Sequence, residues 1–114
     1  MKRNDRRLVV ARTLSLLAGA ALLAGCGSAP RPRTVSLTIE NLAFTPATAT
    51  VAPGDTLVWT NRDLVPHTVT ARDGAFDSGS IAAGATWTYV APRTGTVAYY
   101  CVFHPTMQGT LDIH

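Results

Sequence analysis

The chain is short, 114 residues, and its +3 formal charge is unevenly placed: five of its ten basic residues precede residue 26, while the remainder carries five arginines against six acids. With no basic stripe beyond residue 25, nucleic-acid binding is set aside as a function class. The 89 residues from position 26 onward allow a single domain with a thin core.

Lys2, Arg3, Arg6, Arg7 and Arg12 form a basic head, and Thr13 to Gly25 is apolar or small and uncharged. This is the layout of a secretory signal, too short to span a bilayer comfortably, which takes roughly 20 apolar residues. Leu23-Ala24-Gly25-Cys26 closes the segment and resembles the lipobox of bacterial lipoproteins, which implies cleavage before Cys26 and lipid attachment to it. Residues 1–25 are therefore read as a lipoprotein signal peptide, residues 26–33 as a lipidated tether, and residues 34–114 as the folded domain. The expected location is the periplasmic or cell-surface face of a bacterial membrane. Arg6-Arg7 also suits a twin-arginine exporter, so the export route stays open. Fully extended, the tether gives the domain a reach of about 20–25 Å. With Cys26 acylated, Cys101 has no disulfide partner, although an exported compartment permits disulfides. Its thiol is then either buried or metal-bound.

From residue 34 the pattern is β throughout. Val35, Leu37 and Ile39 alternate with Ser36, Thr38 and Glu40, as in a half-buried strand. Pro53-Gly54-Asp55 is a turn feeding a strand with Leu57 and Trp59 on one face. Residues 67–72 suit another strand, and a short segment surrounds Ile81. Trp87 and Tyr89 alternate next, Arg93-Thr94-Gly95 turns the chain into Val97, Tyr99 and Cys101, and Leu111 and Ile113 close the sheet. No window offers a sustained helical stripe capped at both ends. The expected fold class is all-β, a Greek-key β-sandwich of seven to eight strands. Trp59 and Trp87 are expected to pack the core.

The chemistry concentrates near the C-terminus, where Cys101, His104 and Met107 stand at C-x-x-H-x-x-M spacing. A thiolate, an imidazole and a thioether on one loop match three of the four ligands of a mononuclear blue-copper centre, in which two His and one Cys form a trigonal set beneath a weak axial Met. The missing ligand is a second His. The chain has three, and His114 is terminal, so His67 is the candidate.

Together with Phe44-Thr45-Pro46, Gly54 to Asn61, Asp63, Pro66-His67-Thr68-Val69 and Phe76-Asp77-Ser78-Gly79, this loop resembles the cupredoxins, most closely their amicyanin and plastocyanin branch. The resemblance runs from Val35 to Ile113. It implies one copper per chain held by His67, Cys101, His104 and Met107, with electrons entering and leaving at His104 inside an apolar patch containing Pro66 and Pro105. Family members frequently have Asn after the first His and Thr or Ser after the Cys, a pair whose side chains tie the two ligand loops together. Here those residues are Thr68 and Val102. The Thr68 amide can still donate to the thiolate, and Phe103, where amicyanin-like loops often have proline, offers its amide as a further donor. Hydrogen bonds to the sulfur reduce its donation to copper and raise the potential.

The resemblance implies an extracytoplasmic, membrane-tethered blue-copper protein that carries single electrons between redox partners by Cu(II)/Cu(I) cycling; the alternative is a copper-binding buffer or delivery protein with the same ligands and no redox partner. A Cys/His hydrolase would need a base and an orienting group beside an activated thiolate, and no helix N-terminus or basic cluster accompanies Cys101. A second copper site would need more histidines, and a dinuclear centre a second Cys in the loop. The chain is thus expected not to be an enzyme, and to act as a monomeric domain exchanging electrons with a redox protein such as a cytochrome or dehydrogenase.

Overall fold

The computed structural model describes residues 19–21, 25 and 27–114. Most of the expected signal segment, and Cys26 with its expected lipid, lie outside the described residues. Among the described residues no helix is long and apolar enough to cross a membrane.

Eight strands build two four-stranded sheets: β1 (Thr34–Glu40), β2 (Ala43–Thr45), β3 (Thr48–Val51), β4 (Thr56–Asn61), β5 (Thr70–Ala71), β6 (Thr86–Val90), β7 (Gly95–Tyr100) and β8 (Gln108–Ile113). One sheet has the order β2-β1-β4-β6 and the other β3-β8-β7-β5. The all-β sandwich expected from the alternation is what forms. In the first sheet β1 runs parallel to β4, pairing Leu37 with Trp59, and β4 runs antiparallel to β6, pairing Trp59 with Trp87. In the second, β7 and β8 form a hairpin in which Tyr100 opposes Gln108, so the intervening residues 101–107 make a loop at one end of the sandwich.

Alternation sets which side chains meet between the sheets. Leu37, Ile39, Leu57 and Trp59 from one sheet face Tyr99, Leu111 and Ile113 from the other, all buried. Each fully buried large aliphatic side chain contributes about 1.5–3 kcal/mol. Trp59 carries a donor into this core and places it on the Tyr99 hydroxyl at 3.3 Å, bridging the sheets. Burial pushes the Tyr99 phenol up to about 12, against the opposing effect of that hydrogen bond. Trp87 is half-buried and packs against the core through Trp59, its ring centre 5.5 Å away.

The turn before β4 follows from its residues. Pro53 fixes the first corner, Gly54 takes the positive φ of 89° required at the second, and the Asp55 amide closes the turn on the Ala52 carbonyl at 3.0 Å. The strand expected over residues 67–72 is shorter than the sequence suggests. The backbone of His67 instead pairs with Ile81, and the Val69 amide donates to Ser78 Oγ, so only Thr70–Ala71 joins β7.

Candidate metal centre

Two loops at the same end of the sandwich carry the candidate ligands. Cys101 follows directly from β7, and the loop closes tightly: the Cys101 amide donates to the Met107 carbonyl at 3.2 Å and the Met107 amide to the His104 carbonyl at 2.9 Å. These bonds bring Cys101, His104 and Met107 together at the loop's base. His67 arrives from the segment between β4 and β5, fixed by reciprocal backbone bonds with Ile81 at 3.1 and 2.7 Å. Cys101, His67 and Met107 are buried, and His104 is half-buried.

The donor atoms converge. The Cys101 sulfur lies 3.7 Å from His67 Nδ1 and 3.9 Å from His104 Nδ1, and the three ligand atoms lie within 4.8 Å of one another. With metal bonds of about 2.0–2.1 Å to nitrogen and about 2.3 Å to sulfur, donors 120° apart are separated by about 3.8 Å. The observed spacings fit a trigonal set around one ion. The donors are a cysteine sulfur and two imidazoles, with the Met107 thioether on the same loop, the combination that suits copper in both oxidation states.

What holds His67 in register was not read from the sequence. Its Nε2 lies 2.8 Å from Asp63 Oδ2. The Leu42 amide, first, and the Asn41 amide and His67 ring hold the Asp63 carboxyl below the usual carboxylate range, against the opposing effect of burial. An ionised carboxylate only accepts hydrogen bonds, so Nε2 donates to it, and Nδ1, on the side of the sulfur, is the nitrogen available to a metal. Asp63 also anchors the β1–β2 turn. Its two oxygens accept the amides of Asn41 and Leu42 at 2.7 and 3.0 Å, and both residues have left-handed backbone, φ 54° and 58°. Leucine adopts that region at a cost of about 1–2 kcal/mol, which the clamp offsets.

Asn61 completes the support. Its side-chain amide donates to the carbonyls of Val65 and Ile81, both at 2.9 Å, while its oxygen accepts the Asp63 amide at 2.9 Å. Loop 62–66 is thereby wrapped around one buried side chain. The available signal was an Asn and an Asp six and four residues before the ligand His, short polar residues in a segment leaving a buried strand.

Around the sulfur, the Thr68 amide donates at 3.3 Å, the contact anticipated for it. The Phe103 amide is not among the sulfur's hydrogen-bond partners, contrary to the expectation; the loop turns outward there, leaving Phe103 51% exposed. The missing Asn–Thr clasp has a substitute. Thr68 Oγ1 accepts the Val102 amide at 2.9 Å, joining the two ligand loops by a side chain on one and the backbone of the other. Pro66 and Pro105 are exposed at this end, with Leu64, Val65 and Val102.

A β-sandwich with a Cys-His-Met loop and a second His on a neighbouring loop defines a class, and the chain belongs to it: the family described as cupredoxin-like domain matches residues 13–113. Amicyanin from Paracoccus versutus is 26% identical over 80 residues, covering 66% of this chain and 61% of amicyanin, so the chain spans about three-fifths of the length of this curated relative. Among solved structures, an oxidized amicyanin variant superposes with a TM-score of 0.68 at 23% identity, covering 71% of this chain and 82% of that one, a likeness of fold. A purple cupredoxin from Nitrosopumilus maritimus gives 0.64 at 26% identity, covering 70% and 99%.

Proposed function

We propose that this chain is an exported, membrane-tethered electron carrier that holds one copper ion between His67, Cys101, His104 and Met107. The observation that carries the reading is the convergence of Cys101 Sγ with the Nδ1 atoms of His67 and His104 at 3.7 and 3.9 Å. Bound there, copper supplies a one-electron Cu(II)/Cu(I) couple. The chain's own residues hold the donors still: Asp63 and Asn61 fix His67, the loop's backbone bonds fix Cys101 and Met107, and the Thr68–Val102 bond fixes one loop against the other. A cavity of donors that does not rearrange between oxidation states is suited to electron transfer rather than to catalysis. The half-buried His104 lies beside exposed Pro105, Phe103 and Pro66, the face on which a redox protein such as a cytochrome or dehydrogenase docks. Lipid on Cys26 holds the monomeric domain at the outer face of the membrane.

The test is a visible absorption titration of residues 27–114 with Cu(II), beside Cys101→Ser. An intense blue band saturating at one copper per chain, bleached by ascorbate and absent from the variant, supports the reading. A colourless protein overturns it. Rapid electron self-exchange then identifies a carrier, whereas slow exchange with ready loss of copper to an apo acceptor identifies a delivery protein.

A further inference from the structure

The Thr68 hydroxyl that receives the Val102 amide does not end the chain of bonds. Thr68 Oγ1 lies 3.0 Å from Thr70 Oγ1, and Thr70 Oγ1 lies 3.1 Å from Asp77 Oδ1. Asp77 is exposed and is set opposite Thr70 by a backbone bridge, and the same carboxylate oxygen accepts the Gly79 amide at 2.9 Å. These contacts continue from the ligand loop, past a buried Thr68 and a half-buried Thr70, to solvent.

Donor and acceptor chemistry gives the series one direction. A carboxylate accepts, so the Thr70 hydroxyl donates its only proton to Asp77. Thr70 then offers Thr68 a lone pair, and the Thr68 hydroxyl donates to it. Thr68 oxygen is left to accept, and the Val102 amide donates. Both hydroxyls therefore turn their oxygen ends toward the ligand loop and their protons toward the surface.

We propose that Thr70 and Asp77 are positioning residues for the metal centre, acting through this one-way relay on the Thr68–Val102 clasp. Aligned hydrogen bonds strengthen one another, so the relay tightens the bond that joins the two ligand loops. Its electrical sense follows from its direction. Negative oxygen ends and a terminal carboxylate face a centre whose oxidised form carries the greater positive charge, so the relay favours oxidised copper and lowers the potential. The effect on potential rests on the copper reading above; the effect on the clasp does not.

Three variants separate connectivity from charge. Thr70→Val removes the hydroxyl at nearly constant volume, Thr70→Ser restores it, and Asp77→Asn keeps an acceptor oxygen without the charge. In the copper-free domain, the Val102 amide is followed by NMR hydrogen exchange and chemical shift; in the copper-loaded protein, the potential is measured by voltammetry. Expected are faster Val102 exchange and a higher potential in Thr70→Val, both returned to the wild-type values by Thr70→Ser, with a smaller upward shift in Asp77→Asn. A Val102 amide unmoved by Thr70→Val overturns the relay. So does a potential that responds to Asp77→Asn but not to Thr70→Val, which marks a surface charge acting through space. If the chain takes up no copper, the amide measurement alone still decides the relay, and the copper reading fails separately. Should Thr70→Val unfold, Asp77→Asn, altered only at an exposed position, must still speed Val102 exchange for the proposal to stand; slower or unchanged exchange overturns it.

Discussion

Asp63 joins two tasks in one carboxylate. It holds a left-handed Asn41–Leu42 turn by two amides and receives the His67 ring proton through the same group. A histidine fixed in one tautomer presents its lone pair without reorientation, and losing such a partner typically costs 10–100-fold in metal affinity. Asp63→Ala is therefore expected to weaken Cu(II) binding by roughly that factor, read by competition with a chelator of known affinity. Affinity within twofold of wild type would mean that the Ile81 backbone pairing alone orients the ring. Gly109 shows a different constraint at the same scale: a β-carbon there would overlap the Tyr99 ring, so the β8 residue paired with Tyr99 must have no side chain for the core tyrosine to lie where it does.

Among the elements, the entry into β1 is fixed by a single acid. Buried Asp55 accepts the amides of Arg33 at 2.8 Å and Ala52 at 2.9 Å, and the Arg33 guanidinium lies 3.2 Å away. The Ala52 amide, first, and the Arg33 amide hold its carboxyl below its usual value of 3.8, with burial opposing. As the pH falls, the unfolded chain takes up the proton before the folded one does. The stabilisation is thus complete above about pH 5 and is lost as the pH drops through 3.8 toward the lowered folded value. Asp55→Asn should be less stable than wild type at pH 7, and the two denaturation curves should draw together as the pH falls below 3.8; parallel curves across that range would show that the charge is not what the amides hold. Strands with clean alternation, such as β1 and β4, were legible because burial on one face writes itself into the sequence with period two. The three-residue β2 was not, since a strand that short has no period to display. The shortened β5 was misread for another reason: its apolar residues are real, but their backbone partners lie on the Ser78–Ile81 segment rather than on β7, a matter of long-range pairing that local pattern does not encode.

For the whole molecule, the candidate ligand residues stand out in the sequence and their supports do not. Cys101, His104 and Met107 reveal themselves by spacing, and His67 by elimination, because metal ligands are restricted to few residue types. Asp63, Asn61 and Thr70 act through hydrogen bonds that any polar surface residue could make, and only the folded geometry selects them. The same holds for the docking face proposed above. Leu64, 96% exposed, stands with Leu42 at 52%, Val65 at 43%, Val102 at 42% and Phe103 at 51% on the loops that carry or adjoin the ligands. Such a face brings two molecules together by excluding water, so electron self-exchange should depend little on ionic strength. Leu64→Glu sets like charges against each other in the encounter pair at a cost of at least about 1.4 kcal/mol. Self-exchange, followed by NMR line broadening in mixtures of the two oxidation states, should fall about tenfold or more and recover with added salt, while the visible spectrum stays as in wild type. An unchanged rate would place the electron-transfer contact away from these loops, and a changed spectrum would mean that Leu64 shapes the copper site itself.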